Sequence, residues 1–229
     1  MRLEQVLFSQ GFGTRHECRG MILQSRVQIA GEVHQDPDEE IGVDGLIFCV
    51  DGKEWLYFEK AVVALHKPSG YECSQKPIHH PSVMTLLPAP LRVRGIQPVG
   101  RLDEDTTGLL ILTDDGALQH RLIHPKKHVS KVYEVTCRHP ITQKMVDQLL
   151  GGVMLDGEKK PVKADCIEVK SEHVLWMTIT QGKYHQVKRM IAAVSNRCDK
   201  LHRIGVGKYA LPDDLAVGEW RFINVNELI

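Results

Sequence analysis

Three acidic side chains stand together in the stretch GRLDEDTTG, residues 100–108, directly before the apolar run at residues 108–112. Such a run predicts a buried strand, and a loop anchored by a buried strand can hold a carboxylate both exposed and rigidly aimed. Asp103 is therefore a candidate nucleophile. Adjacent acids could also bind a metal, but side chains alternate in direction along an extended loop, and no histidine is near in sequence. We therefore predict no metal site here.

A second group of candidate residues lies between residues 116 and 133, where basic and histidine side chains occur without a single acid. The alternating pattern at residues 131–136 predicts a strand that places Lys131 and Tyr133 on the same face. This face would be a basic approach surface with one aromatic ring, which stabilises a stacked nucleic-acid base by about 1–3 kcal/mol. The alternative for Tyr133 is a half-buried strand aromatic. The basic and histidine residues of this surface are His120, Arg121, His124, Lys126, Lys127, His128 and Lys131.

A third group occurs in QGKYHQVKRM, residues 181–190, which follows an apolar run at residues 174–180 and predicts the opening of a helix. The first N–H groups of this helix and its basic side chains face the same end. Lys188 and Arg189 are adjacent in it, and at helical spacing they point about 100° apart.

The first 45 residues predict two short helices followed by a β-hairpin. Apolar residues three and four apart mark one face of the first helix, and a Gly-x-Gly sequence interrupts it. Thr14 and Glu17 have the spacing of a capping box that opens the second helix, from about residue 15 to residue 24. Alternation around an Ala-Gly turn then predicts a hairpin over residues 27–34. The acidic residues that follow are predicted to form a solvated turn region.

Strands outnumber helices in the rest of the chain. Runs of apolar or alternating residues predict strands and periodic runs predict helices, in the order strand 62–66, a short helix near 83–87 within the loops of 73–99, strand 108–112, helix 117–123, strand 131–136, helix 143–150, strands 162–169 and 174–180, helix 184–194, and strands 200–205 and 219–224. The fold class is therefore predicted as α+β, with a mostly antiparallel mixed sheet flanked by helices and loops. A small N-terminal domain, residues 1–58, is predicted to precede a larger domain, residues 59–229.

Composition and charge narrow the class of protein. The chain of 229 residues is 42% hydrophobic, which is enough for a sizeable core, and it has no apolar run long enough for a membrane span or a secretory signal. Its six cysteines are far apart, which indicates reduced thiols in the cytoplasm. The net charge is zero, but acids are in excess before residue 61 and bases after it, so a nucleic-acid partner is compatible with the sequence.

These motifs together resemble the RsuA-type family of bacterial ribosomal RNA pseudouridine synthases. The stretch RLDEDTTGLL is similar to the catalytic loop of that family, KVY to its Lys-x-Tyr phrase, and GKYHQVKRM to its helix opening. LHRIG and GEWR near the end of the chain also match, so the resemblance covers nearly the whole sequence. It implies that Asp103 is the essential carboxylate, that Tyr133 lies against the target base, and that Lys188 pairs with Asp103. Such a cation would keep the carboxylate ionised and fix its orientation, at a desolvation cost that only close pairing offsets. Arg189 is the neighbouring candidate, and a purely structural Lys188, paired with some other acid, is the alternative.

The first 45 residues resemble the S4 RNA-binding module, in which the second helix and the adjoining loop meet RNA phosphates. By position, this resemblance implies that Arg15, Arg19 and Arg26 bind RNA, and solvated helix charges are the alternative. The full set of residues predicted to contact RNA is Arg15, Arg19, Arg26, Arg101, Lys126, Lys127, Lys131, Lys183, His185, Arg189, His202 and Arg203. For the last two, ordered polar residues at a strand end are the alternative.

The resemblance implies isomerisation of one uridine to pseudouridine in ribosomal RNA, closest to the small-subunit enzyme and its uridine-516-type site in 16S rRNA. A flipped uridine would meet Asp103, which attacks the sugar, attacks the base or promotes a glycal, and no metal or other cofactor is expected. The expected partner is ribosomal RNA within a small-subunit assembly intermediate, bound by a monomer in the cytoplasm. Three alternatives stay open: a synthase for 23S rRNA, an N-glycosidase-like hydrolase, and a non-catalytic RNA-binding ribosome-assembly factor.

Overall fold

The computed structural model describes the backbone of residues 1–229 and every side chain except that of Pro125. It divides into two compact units. The first comprises Met1–Ala61 and Leu87–Gln97, and the second comprises Val62–Leu86 and Pro98–Ile229. In the described part of the chain, no helix is both long and apolar enough to cross a membrane.

The first unit contains three helices and a four-stranded antiparallel sheet. Its elements are α1 (Leu3–Ser9), α2 (Arg15–Leu23), β1 (Val27–Ile29), β2 (Glu32–Val33), β3 (Ile47–Val50), β4 (Lys53–Leu56) and α3 (Ala89–Val93), with the strands in the order β2-β1-β3-β4. The two predicted helices and the predicted hairpin are confirmed. The Thr14 hydroxyl accepts a hydrogen bond from the Glu17 amide and the Glu17 carboxylate accepts one from the Thr14 amide, so the predicted capping box opens α2.

The core of the first unit lies between its helices and its sheet. Leu3 of α1, Ile22 of α2 and Phe48 of β3 are buried in one apolar cluster. The chain leaves α1 through Gly11, where the backbone has a positive φ and a Cβ atom would come within 2.1 Å of the Pro90 carbonyl oxygen. Only glycine fits this approach, which is why the helical pattern of the sequence is interrupted at this point.

Three elements of this unit lack a clear sequence signal. β3 and β4 have four residues each and meet at a tight turn, so neither is long enough for an alternating pattern to stand out. α3 corrects the prediction that residues 73–99 contain only loops and one short helix. It follows Pro88 and carries Pro90 in its first turn, where a proline costs nothing because the missing N–H would have no helical partner.

The second unit is built on a long mixed sheet. Its elements are β5 (Val62–Lys67), a 3-10 helix (Val83–Leu86), β6 (Gln97–Pro98, which leads into this unit), β7 (Thr107–Thr113), α4 (Gly116–Ile123), a 3-10 helix (Pro125–Lys127), β8 (Lys131–Cys137), α5 (Gln143–Gly151), β9 (Cys166–Val169), β10 (Val174–Ile179), α6 (Gln186–Ala193), β11 (Cys198–Val206), β12 (Tyr209–Ala210), β13 (Trp220–Phe222) and α7 (Val225–Leu228). The main strand order is β13-β5-β7-β11-β8-β10-β9, and only the β7–β11 pair in it is parallel. The predicted α+β class with a mostly antiparallel sheet is confirmed.

Some predicted bounds in the second unit are wrong. The strand predicted over residues 162–169 begins only at Cys166, and Val162 forms a single bridge with Val153 instead. The helix predicted from residue 184 begins at Gln186, because His185 before it has a left-handed backbone. β12 and α7 have no counterpart in the prediction, since elements of two and four residues are too short to show a period.

The parallel pair of β7 and β11 lies at the centre of the sheet and supports the loop that carries Asp103. Gly108 of β7 lies opposite Arg203 of β11, and a Cβ atom at this glycine would come within 2.3 Å of the Arg203 carbonyl oxygen. The glycine in the stretch DTTGLL therefore allows the two strands to pair directly after the acidic loop. Leu109 and Ile111 of β7 are buried in the core, so the loop is anchored by a fixed strand, as predicted.

Candidate active site

A cavity of about 310 Å³ lies in the second unit beside the start of β7. Its wall is formed by the loop before β7, the end of α4, the strands β8 and β11, the last residue of β10, and the residues that lead into α6. Cavities of a few hundred Å³ hold small molecules or single building blocks of a polymer. The three sequence groups that could do chemistry, around Asp103, Tyr133 and His185, all contribute to this wall.

The Asp103 carboxylate is held through both of its oxygens. The Nε2 atom of His185 lies 3.1 Å from Oδ1, and the Nζ atom of Lys188 lies 3.1 Å from Oδ2. The side chain of Asp103 is 30% exposed, so the carboxylate faces the cavity while its orientation is fixed. A carboxylate held in this way has the position and the charge that a nucleophile or an electrostatic stabiliser requires.

Lys188 is shared between two carboxylates. Its Nζ atom lies 2.6 Å from Oδ1 of Asp105, closer than it lies to Asp103. Burial alone would lower the pKa of Lys188, but hydrogen bonds to Asp105 and Asp103 outweigh it and raise the pKa. Burial of Asp105 would likewise raise the pKa of that carboxyl, and the hydrogen bond from Lys188 turns the shift downward. Lys188 therefore stays charged beside Asp103.

Arg189, the other candidate cation, lies elsewhere. Its guanidinium group donates to the backbone carbonyl of Tyr184 at 3.1 Å and also to the carbonyl of Asp156. Adjacent residues of a helix point about 100° apart, so only one of the two can reach the acidic loop. The structure places Lys188 there and uses Arg189 to fix the backbone at the start of α6.

Lys67 supports the acidic loop, although no motif in the sequence marks it. Lys67, at the end of β5, is fully buried, and its ammonium group donates to the carbonyl oxygens of Glu104 and Thr106 at 3.0 and 2.8 Å. Burial lowers the pKa of Lys67. In the sequence, Lys67 stands directly after the apolar run of β5. A lysine in that position predicts only the end of a strand.

Tyr133 and Lys131 both line the cavity from β8, on the strand face that their spacing indicates. The Tyr133 ring is 9% exposed, and the guanidinium carbon of Arg203 lies 6.0 Å from its centroid. Arg203 is itself buried, and its Nε atom donates to the Leu109 carbonyl at 2.7 Å. Burial, with a smaller contribution from the charge of Arg203, lowers the pKa of Lys131 to about 8. The cavity therefore has one aromatic face and a cationic wall.

The other residues predicted to contact RNA divide into several groups. Arg101, Lys183 and His185 line the cavity, and Lys183 forms a 2.5 Å ion pair with Glu158. Lys126 and Lys127 are exposed in the 3-10 helix after α4. His202 and Arg203 are neighbours on β11 and point to opposite faces of the strand. Of the two, only Arg203 is among the described residues of the cavity wall. Its Nδ1 atom bonds the Thr107 hydroxyl at 2.8 Å.

The three arginines of the first unit are engaged in ion pairs. Arg15 lies 3.3 Å from Glu4 and Arg19 lies 3.0 Å from Asp38, while Arg26 lies 2.6 Å from Asp51. The acidic segment predicted as a solvated turn region thus supplies one partner to α2. These arginines are 57%, 41% and 39% exposed, so each keeps an accessible face. The Arg19–Asp38 and Arg26–Asp51 pairs are exposed on both sides, contribute little free energy and can be exchanged for phosphate contacts. Glu4, the partner of Arg15 and a second partner of Arg19, is only 10% exposed.

Comparison with known proteins gives the family. A model of the RNA pseudouridylate synthase family matches residues 61–193, which is more than half of the chain, and a model of the S4 domain matches residues 1–47. The chain belongs to the RNA pseudouridylate synthase family. Enzymes that form pseudouridine are isomerases, so the synthase is an isomerase, and the resemblance of its motifs to this family is confirmed.

Similar proteins match over the full length of the synthase. The ribosomal small subunit pseudouridine synthase A of Salmonella typhimurium is 42% identical over 234 residues, covering 100% of this chain and 98% of that protein. The protein of the same name from Escherichia coli is 35% identical with the same coverage. An uncharacterised RNA pseudouridine synthase of Bacillus subtilis is 38% identical, covering 100% of this chain and 97% of that protein. A crystal structure of a pseudouridylate synthase superposes with a TM-score of 0.70 at 34% identity, covering 99% of this chain and 97% of that one.

Proposed function

We propose that the synthase converts one uridine of 16S ribosomal RNA, in the small subunit, into pseudouridine. The observation that carries the reaction is the Asp103 carboxylate, which Lys188 and His185 hold beside a cavity with Tyr133 in its wall. The choice of small-subunit RNA is supported by the full-length similarity to relatives that are named for that substrate. A substrate in 23S rRNA is the second candidate within the same reaction class.

The reaction begins when a uridine leaves the RNA stack and enters the cavity, which costs a few kcal/mol and least in an unpaired loop. Tyr133 then lies against the uracil ring, and Asp103 acts while the bond between C1′ and N1 breaks. The uracil turns and C5 bonds to C1′. The proton that leaves C5 is balanced by the proton that N1 gains, and Tyr133 is placed to take part in this transfer. No group is oxidised and no water is consumed.

Asp103 acts in the first step of the reaction in one of three ways. It attacks the sugar at C1′, attacks the base, or promotes loss of a sugar proton to form a glycal. In every case the carboxylate works only if it is aimed at the reacting atom, and the ammonium group of Lys188 at 3.1 Å fixes its orientation. The hydrogen bonds from Lys67 to the loop backbone make the position of Asp103 more rigid.

The proposal also covers the target uridine, the RNA partner, the roles of the two domains and the oligomeric state. The target is the uridine-516-type site, and the partner is ribosomal RNA within an assembly intermediate of the small subunit. Residues 1–58 form the RNA-binding domain and residues 59–229 the catalytic domain, which is supported by the S4 match and the exposed arginines of the first unit. The synthase acts as a monomer in the cytoplasm, where ribosomal subunits are assembled in bacteria.

Mapping of pseudouridines in ribosomal RNA tests the proposal. RNA from bacteria that lack the gene is compared with RNA from the parent strain and from the complemented strain. We expect one pseudouridine of 16S rRNA to disappear and to return on complementation.

Loss of a site in 23S rRNA instead would identify a large-subunit enzyme. Release of free uracil from RNA by the purified protein would identify a hydrolase. Unchanged modification of both RNAs would leave a non-catalytic RNA-binding factor.

A further inference from the structure

Tyr184 is an exposed aromatic residue directly beside the candidate active site. It is 77% exposed, although most of the aromatic side chains of the chain are at least partly buried. One face of its ring lies on the imidazole of His185, with the centroids 3.8 Å apart and the planes 18° from parallel. A ring that is stacked on one side and is still 77% exposed presents its other face to solvent.

The ring is fixed with respect to the reacting carboxylate. His185, on which it stacks, has its Nε2 atom 3.1 Å from Asp103. The backbone carbonyl of Tyr184 accepts a hydrogen bond from Arg189 at 3.1 Å. His185 itself adopts a left-handed backbone with φ 46°, a costly conformation for a residue other than glycine that persists only where its surroundings impose it. Tyr184 is therefore one ring away from Asp103 and is held there.

The position of the ring is outside the cavity and at its edge. Lys183 and His185, the chain neighbours of Tyr184, are in the cavity wall, whereas the part of the wall that the structure describes does not include Tyr184. Tyr133 offers an aromatic face inside the cavity, and Tyr184 offers one outside. Tyr133 is therefore available to a group inside the cavity, and Tyr184 to a group outside it.

We propose that Tyr184 is a stacking platform for a nucleotide that flanks the target uridine in the RNA. This inference rests on the proposed function. When a uridine flips out, the base next to it loses one stacking neighbour, and a flat ring at the cavity edge replaces that lost contact. The π face accepts any base, so the platform contributes affinity and register more than sequence selectivity.

Charge around the ring favours RNA over a protein partner. Of the cations around the ring, Lys183 is paired with Glu158 and Lys188 with two carboxylates of the acidic loop. In the part of the chain that the structure describes, Arg189, and Arg101 of the cavity wall, have no carboxylate within ion-pair distance. Phosphates on either side of a flipped nucleotide need such cations. An apolar protein segment would instead meet charged side chains around a single ring.

The test combines substitutions of Tyr184 with base removal from the RNA. The probe is a fragment of unmodified 16S rRNA that contains the uridine modified by the wild-type synthase, made intact and with one abasic nucleotide at each of the three positions on either side. Steady-state pseudouridine formation gives KM and kcat for the wild type, Tyr184→Leu and Tyr184→Phe. The phenylalanine variant is the matched control, because it keeps the ring.

We expect Tyr184→Leu to raise KM for the intact RNA by about 5- to 50-fold and to leave kcat within about threefold, and Tyr184→Phe to stay within about twofold of the wild type. At one flanking position, base removal raises the wild-type KM by a similar factor. There the two changes are not additive, so Tyr184→Leu with that abasic RNA is no worse than with the intact RNA.

Additive effects at all six positions, or an unchanged KM for Tyr184→Leu, would overturn the platform. A loss confined to kcat would also overturn it, because Tyr184 would then act only through His185 and Asp103. If the wild type modifies 23S rRNA and not 16S rRNA, the proposed substrate is wrong and the same scan on a 23S fragment decides about Tyr184. If the wild type forms pseudouridine in neither RNA, the proposed function and the platform fall together.

Discussion

The two units of the synthase both pair basic with acidic side chains, but in different surroundings. In the first unit, Arg19 reaches Asp38 at the surface, with 41% and 50% of the two side chains exposed. In the second, Lys188 reaches Asp103 at the edge of a cavity, with 25% and 30% exposed. Lys67 is more deeply buried than either pair, since its ammonium group lies among backbone carbonyls.

Burial decides what a pair of charges can do. Water screens a pair such as Arg19–Asp38 and competes with it, so Arg19 can exchange Asp38 for an RNA phosphate at little cost. In the second unit, separating the charges would expose an unpaired group in a poorly solvated place. The first arrangement suits exchangeable binding, and the second suits a carboxylate that must keep one orientation throughout a reaction.

The largest effect in this comparison is expected at the half-buried pair. Replacement of Lys188→Met removes the cation from Oδ2 of Asp103 and leaves His185 alone to orient the carboxylate. We expect kcat for pseudouridine formation to fall by about 10²- to 10³-fold. Arg189→Met is the matched control, because it alters the next residue of α6 and does not touch Asp103. It should lower kcat by less than about tenfold, and the reverse order of the two variants would show that Lys188 is a structural residue.

Lys67 should matter for stability as well as for catalysis. Lys67→Met removes the donor to the Thr106 carbonyl oxygen and leaves the Glu104 carbonyl oxygen with the Gly70 N–H alone, which should lower the free energy of unfolding by about 2–4 kcal/mol. The acidic loop should also loosen and kcat should fall by about tenfold or more. Denaturant unfolding measures the first effect and pseudouridine formation the second. The exposed Lys208→Met is the control, and a stability loss as small as in that variant would contradict the anchoring role.

Smaller effects are expected at the surface arginines. Arg15→Gln, Arg19→Gln and Arg26→Gln should each weaken binding of 16S rRNA by only a few-fold, and each should reduce the slope of log Kd against log salt by about one. Filter binding at several salt concentrations measures the slope. Arg138→Gln is the control, because Arg138 is also paired at the surface, with Asp199. Equal slopes for the wild type and all three variants would refute the RNA contact of α2 and the residues that follow it.

A further effect concerns pH. Lys131 has a pKa of about 8 in the folded protein and an ordinary value of 10.5, so the unfolded chain binds more protons between these two values. Stability gained from this group is therefore fully present above pH 10.5 and is lost as the pH falls through about 8. Relative to Lys131→Met, the wild type should gain stability between pH 8 and 10.5. A parallel pH dependence of the two unfolding midpoints would show that Lys131 is not buried in this way.

Much of the fold follows from local sequence patterns. The capping box of α2, the apolar run of β7 and the alternation of β8 each depend on residues close together in the chain, and each is found where it is predicted. β3, β4 and α3 were missed because elements of four or five residues show no period, and the prolines around α3 indicate a loop. Tertiary packing stabilises these short elements.

The candidate site is only partly encoded in local patterns. Lys188 lies 2.6 Å from Asp105 and 3.1 Å from Asp103, although more than 80 residues separate them in the sequence. Spacing alone could not choose between Lys188 and Arg189, and the family resemblance supplied the choice. Nor could it show that Arg203 faces the cavity while His202 faces away, because either register fits an alternating strand. Lys67 was missed because its partners are backbone carbonyls, which leave no sequence signature.

The central claim is that Asp103, and not the neighbouring Asp105 that shares Lys188, is the reacting carboxylate. Single-turnover formation of pseudouridine in a 16S rRNA fragment by Asp103→Asn and Asp105→Asn tests it most directly. We predict that Asp103→Asn lowers the rate by at least about 10⁴-fold while RNA affinity stays within about threefold, and that Asp105→Asn lowers the rate by less than about 30-fold. A larger loss in Asp105→Asn, or substantial activity in Asp103→Asn, would contradict the assignment.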